Sequence, residues 1–180
     1  MDAILAVLTI LQNDTGVINV VGSNIFGGQL PEHYNPEVTS TAEPAGNGPA
    51  ITLVVKGGDT HYEIPLQEVD VQVTTWAGVN ENGLARSVYN AVLAALDELI
   101  GVDTGAGGLV KRIHAGMPGQ DIVDADTGWV MNVSAFHVML MDSTPSSVND
   151  IGGFDDDYSP YQVGYITGLD GGQEPQDNFS

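Results

Sequence analysis

Glu68-Val69-Asp70-Val71-Gln72-Val73-Thr74-Thr75-Trp76 alternates apolar and polar side chains, and the chain then turns at Ala77-Gly78-Val79-Asn80. A period of two belongs to a strand with one face against a core, so Val69, Val71 and Val73 are expected to point inward. Past the turn the apolar positions are Leu84, Val88, Ala91/Val92, Ala95/Leu96 and Leu99. That 3.6-residue stripe predicts a long amphipathic helix, opened by Asn80 as N-cap and closed by Gly101. Neither a half-apolar strand nor a one-sided helix is stable alone. The helix is therefore expected to lie back over the inward face of the strand and its neighbours, as part of a helix-backed sheet.

Toward the N-terminus, Ile51-Thr52-Leu53-Val54-Val55 and His61-Tyr62-Glu63-Ile64 flank Gly57-Gly58-Asp59, which reads as a hairpin turn. Residues 31–49 hold Pro31, Pro36, Pro44, Pro49, Gly46 and Gly48 without periodicity and predict a long loop of the kind that often serves as a contact arm. Ile25 to Pro31 reads as an extended segment and Val17 to Val21 as a weak strand. Ile4, Leu5, Val7, Leu8 and Leu11 predict a first helix, capped by Asp2 and ended by Asn13-Asp14-Thr15-Gly16. Toward the C-terminus, a glycine-rich link (Gly101 to Gly108) leads to a strand over Leu109 to Met117. A longer strand, Gly128 to Leu140, follows a turn near Asp124-Ala125-Asp126. The sum is an α+β fold: a mostly antiparallel β-sheet with two helices packed on one face.

From Asp142 the composition changes. Residues 142–180 carry eight acids and no Lys or Arg, which by charge alone reads as a disordered tail. They also hold Phe154, Tyr158, Tyr161, Tyr165 and Phe179, five of the chain's 12 aromatics, and Tyr161-Gln162-Val163-Gly164-Tyr165 alternates like a strand. The expected organisation is an α+β domain over 1–141 and, over 142–180, an extended C-terminal arm that docks on a partner or a neighbouring subunit by adding to a sheet edge.

At 180 residues the chain is long enough to bury a core. Zero cysteines exclude disulfides, thiolate catalysis and Cys-built zinc sites. The apolar start Ala3 to Leu11 follows Asp2 where a signal peptide has Lys or Arg, and it falls well short of the ~20 residues of a membrane span, so a soluble, unexported protein without membrane contact is expected. With 24 acidic residues against four basic ones (Lys56, Arg86, Lys111, Arg112), the net charge is -20. Nucleic-acid affinity comes from Lys and Arg displacing counterions, so this chain should repel DNA, though it could stand as a passive wall beside it. Such self-repulsion destabilises a compact state unless salt screens it, which points to a halophilic host, the alternative being a merely acidic protein from an ordinary host. The melting temperature is expected to rise between about 0.1 M and about 3 M NaCl as the Debye length shrinks to ~3 Å; thermal melts across that range check it.

Residues that could carry chemistry are few. Asp-Thr-Gly occurs at Asp14, Asp103 and Asp126, and Gly101-Val102-Asp103-Thr104-Gly105-Ala106 resembles the active-site loop of retropepsin-like aspartic proteases. Those enzymes need two facing aspartates that share one proton, which a homodimer could supply. Here the motif follows the predicted long helix where a strand is needed, and Asp-Gly neighbourhoods are ordinary turn chemistry, so turns are the favoured reading. Asp121, Asp124 and Asp126 could hold Ca²⁺ or Mg²⁺ through oxygen ligands, but their spacing does not match an EF-hand. A solvated acidic turn is favoured there and at Asp155-Asp156-Asp157. His33, His61, His114 and His137 show no short ligand spacing. Trp76 and Trp129 fit a core or an interface equally well. No catalytic, cofactor-binding or metal residue is assigned.

The order of elements resembles the tail-completion (tail-terminator) family of long-tailed viruses. The matching stretches are Ile4 to Leu11, Leu30-Pro31, Pro49-Ala50-Ile51-Thr52-Leu53, Val71-Gln72-Val73-Thr74-Thr75-Trp76, and Gly83-Leu84-Ala85 onward to Leu99. The long 31–49 loop and the acidic tail after 141 depart from that family's pattern. The resemblance implies a virion protein that forms a homo-oligomeric ring, usually a hexamer, on the last ring of the tail tube. Such a ring halts tube growth and presents a surface to the head-side neck. Its partners would be copies of itself, the tail tube protein and a neck or head-tail connector protein, with DNA passing through the lumen unbound. Its location would be the virion tail or neck, and the host cytoplasm during assembly. The resemblance carries over no catalytic residues. Another neck or minor tail adaptor of similar fold is the alternative, with an enzyme further behind.

Overall fold

A computed structural model describes residues 2–37, 47–61 and 66–141. The expected tail strand, Asp155-Asp156-Asp157 and the 142–180 arm concern residues outside these, as do the 38–46 part of the long loop and Tyr62-Glu63-Ile64.

Two short helices open the chain. Asp2 caps α1 (Ala3–Asn13) by accepting from the Leu5 amide at 3.1 Å. Asp14 then caps α2 (Thr15–Val21), accepting from the Val17 amide at 2.9 Å, and the helix axes turn by 85° between the two. The β-branched run Val17 to Val21, expected as a strand, is therefore helical. Its Val17 and Val21 stand four residues apart and are both buried, so an N-cap and a place on the core outweigh strand propensity. Asp14→Ala is expected to cost about 1 kcal/mol, the usual loss for an N-cap, in urea unfolding.

The remaining elements are β1 (Ile25–Gly27), β2 (Ala50–His61), β3 (Leu66–Val79), α3 (Asn82–Leu96), β4 (Ile100–Asp103), a 3-10 turn at Gly105–Gly107, β5 (Leu109–Val123) and β6 (Trp129–Met141). The strands form one sheet in the order β1-β2-β3-β6-β5-β4, antiparallel except for the β1–β2 pair. The α+β class and the helix-backed sheet stand as expected, with α2 as an additional short helix. Among the described residues no single helix is long and apolar enough to cross a membrane.

The alternation read from Val69 to Trp76 is observed: Val69, Val71 and Val73 are buried on the helix side. Phe136, Val138 and Leu140 of β6 join them, with Ile51 and Leu53 of β2 and Val110 and Ile113 of β5. Helix α3 covers this face through Val88, Val92, Ala95 and Leu96, four of its predicted stripe positions. Its ends differ from expectation. Asn80 sits in the left-handed region (φ 63°) within the turn, and Glu81 occupies the cap position while its carboxylate accepts from the Gly78 amide at 2.8 Å. At the other end Asp97 caps, Glu98 is left-handed (φ 57°), and Gly101 lies inside β4. Leu99 leaves the helix because its carbonyl accepts from Ile113 at 2.9 Å, so the chain is pulled onto the sheet one turn early.

Gly57-Gly58-Asp59 is not a turn: β2 continues through it to His61, with a bulge at Lys56. A Cβ on Gly58 would lie 2.3 Å from the Glu68 carbonyl, so glycine is there for a close strand-to-strand approach. Both ends of the 31–49 loop are pinned to the domain. The Tyr34 hydroxyl donates to the Gly48 carbonyl at 2.9 Å, its ring meets Phe26 edge-on at 5.5 Å, and burial pushes its pKa up to about 12.

Candidate functional site

Helices cover one face of the sheet, and among the described residues none packs on the other. That second face presents the polar half of the β3 alternation (Asp70, Gln72, Thr74, Trp76) and the odd positions of β6 (Met131, Val133, Ala135, His137, Met139, Met141), the β6 positions all half-buried. A half-buried row of methionines is adaptable contact surface more than core. At one end of the face both tryptophans line a groove of about 470 Å³, with Leu30, Val54, Met131 and Gln72 among its walls. Trp76 donates its indole N–H to Thr52 Oγ1 at 3.0 Å, which fixes the ring as a wall. The structure thus puts Trp76 and Trp129 at a surface groove, settling a choice that position along a strand left open.

Two histidines that look scattered in sequence meet on this face. Asp70 of β3, His137 of β6 and His114 of β5 stand on one rung of the sheet. His137 Nδ1 lies 3.0 Å from Asp70, its Nε2 3.6 Å from Glu68, and the two imidazoles are 5.1 Å apart. Spacing hides this, because register alone makes positions 70, 114 and 137 neighbours. His33 is exposed beside Glu32 at 3.6 Å, and the His61 side chain lies outside those described. Among the described residues no group of three or more His, Asp or Glu has the geometry to hold a metal ion.

The aspartates have local partners. Asp14 and Asp103 both line a groove of about 260 Å³ between α1, the end of α3 and β4. Asp103 does emerge from a strand, β4, contrary to the sequence reading that put a helix directly before it. Its carboxylate accepts from the Gly105 amide at 2.9 Å, as that of Asp14 accepts from Val17, so each has a backbone partner. In the β5–β6 turn, Asp124 accepts from the amide and hydroxyl of Thr127, which hold its pKa below the usual carboxylate range. Asp126 is exposed on the same turn.

Asp121 accepts from Asn132 Nδ2 at 2.8 Å and from the Arg86 guanidinium of α3. The Asn132 hydrogen bond, then Arg86, lowers the Asp121 pKa against the opposing effect of burial. A carboxyl whose folded pKa is depressed stabilises above its unfolded pKa, and that contribution is lost as pH falls through the folded value. Asp121→Asn is expected to flatten the acid end of the stability curve below about pH 4 and to cost under about 1 kcal/mol at neutral pH, in pH-resolved urea unfolding.

The described strands cover both sheet edges only in part. β1 pairs with Ile51 to Leu53 of β2, and no described strand pairs with the outer edge of β2 from Val54 to Asp59. β4 pairs with Leu109 to Arg112 of β5; beyond Ile113 and Ala115, whose amides donate to Leu99 and Asp97, no described strand pairs with the outer edge of β5 as far as Val123. Parts of both edges are blunted in ways that discourage stray pairing, by the Lys56 bulge on β2 and by Pro118 with the adjoining bulges on β5. Gln120 to Val123 is a regular stretch that carries exposed Ile122 and Val123.

No family model matches the chain, and no curated protein matches it. One chain in the solved structure of the virion of a native gene transfer agent (GTA) particle superposes with a TM-score of 0.55. The two chains share a fold. The match covers 95% of that chain and 78% of this one at 13% sequence identity, so the likeness lies in architecture rather than in side chains.

Proposed function

We propose that this chain is a structural virion protein that closes into a ring at the head-proximal end of a viral tail, ends growth of the tail tube and joins the tail to the neck. The observation that carries the proposal is the shared fold with a chain of a gene transfer agent virion, of which 95% is matched. The resemblance of most of residues 1–141 to tail-completion proteins supports the narrower role. So do the open edges, since contacts between unlike surfaces that close on themselves make rings.

In this reading the protein is not an enzyme, and the aspartates cap helices and turns. Its partners are copies of itself, the tail tube protein and a neck protein. The net charge of -20 keeps DNA moving through the lumen without holding it and suits a salt-rich host. Residues 1–141 form the ring body and 142–180 an arm onto a neighbour. Deleting 142–180 is expected to leave the body folded and weaken assembly.

The test is an electron micrograph of particles made without this protein. Tails of uncontrolled length support termination, tails of normal length that fail to join heads favour the neck-adaptor reading, and normal virions overturn both.

A further inference from the structure

We infer that copies of this chain join edge to edge, with the outer edge of β2 from Val55 to Asp59 in one copy pairing antiparallel with Gln120 to Val123 of β5 in the next. This deepens the ring reading and rests on it.

Direction comes first. β2 and β5 lie on opposite sides of the sheet and run in opposite senses, so a second copy placed alongside in the same orientation meets the first antiparallel, with both helix layers on one side. Coverage comes next. β1 shields the end of β2 near Ala50, and β4 shields the end of β5 near Leu109, which lies level with the far end of β2. The open stretches are therefore diagonal, and sliding one copy along the strands brings them together while both short shielding strands stay clear.

Side-chain facing then selects the register. Val55 points to the helix side, as does Val123, which pairs with Val130. Setting Val55 against Val123 and keeping the Lys56 bulge places Gly57 opposite Ile122, Gly58 opposite Asp121 and Asp59 opposite Gln120, each pair on a common face. This apposes two of the most exposed large apolar side chains, Val55 (46% exposed) and Val123 (61%). It also leaves glycine backbone facing the incoming strand and sets Lys56, the one cation of β2, beside the acidic Asp121 to Asp126 end of the neighbour.

Geometry gives an independent check. Ile122 is level with Ala50 within its own copy, through Met131 and Trp76, so the offset between copies is the six ladder steps from Ala50 to Gly57 around the bulge. At about 3.4 Å per residue that is about 20 Å, against about 19 Å for the width of the four long strands. A ring with that offset closes only with its strands tilted about 45° from the axis, at the upper end of the 35–45° typical of closed barrels.

The cysteine-free chain allows a direct test. Val55→Cys combined with Val123→Cys, mildly oxidised in the full-length protein at high salt, is expected to give a ladder of covalent multimers on a non-reducing gel, while either single variant stays monomeric there. Val55→Asp should abolish assembly while the chain stays folded, with a cooperative melt that no longer depends on protein concentration. Rings seen by electron microscopy with no ladder from the double variant and intact assembly of Val55→Asp overturn the edge pairing and leave the ring standing. A wild-type chain that stays monomeric at every salt concentration overturns both.

Discussion

Phe136→Ala is expected to remove about 3–5 kcal/mol of folding stability, the usual loss when a buried phenylalanine is truncated. Phe136 has no exposed surface and is the largest of the fully buried side chains. It sits mid-strand in β6, opposite Val71 of β3 on one side and Ala115 of β5 on the other, in the cluster that joins the sheet to the helices. Phe136 is flanked by a paired strand on each side, so the site cannot collapse to fill the space, and the cavity adds to the lost burial. Domains of this kind are stable by about 5–15 kcal/mol, so the variant gives up a large share, and its melting temperature should fall by roughly 10–20 °C. Calorimetry on the variant checks this. Met131→Ala, on the uncovered face of the same strand, should move the melting temperature of the isolated chain far less, and a comparable drop would show that face to be packed.

Gly107→Ala is expected to cost about 1–3 kcal/mol, as overpacking does in a closed site. A Cβ at Gly107 would stand 2.7 Å from the backbone of Ala6 in α1 and 2.6 Å from Thr104 Oγ1. Helix backbone cannot rotate away as a side chain can. Either the 3-10 turn lifts from α1, losing the contact in which the Gly107 carbonyl accepts from the Asp2 amide, or α1 shifts on the core through Ala3, Ala6 and Val7. Urea unfolding should show a lower midpoint with an unchanged slope, since the same surface is exposed on unfolding. Gly83→Ala in α3, where a Cβ meets nothing within 4 Å, is the control and should hold or raise the midpoint.

The parts of the fold legible in the chain are those whose cause is local. The alternation around Val69 to Val73, the stripe through Val88, Val92 and Leu96, and the Asp2 cap each depend on neighbours within a few residues, and each is present. The misread parts depend on partners far along the chain. Val17 to Val21 is helical because the core needs Val17 and Val21 on one side, and Gly57-Gly58 continues β2 past the Lys56 bulge because the β3 backbone lies against it. Leu99 leaves its helix to meet Ile113.

The candidate surfaces divide in the same way. Two tryptophans, four scattered histidines and an acidic turn are visible as residue types, but type and spacing do not say which of them share a surface. Strand register decides that: it places Trp76 near Trp129 and His114 beside His137, and it leaves β2 and β5 each half-open at opposite ends. From the residues alone came the helix-backed sheet, the absence of thiol chemistry and the strong negative charge, because period, composition and charge are properties of the chain before it folds. The groove, the histidine rung and the diagonal open edges belong to the folded molecule, because hydrogen-bond pairing between strands distant in sequence sets which side chains become neighbours and where the backbone is left uncovered.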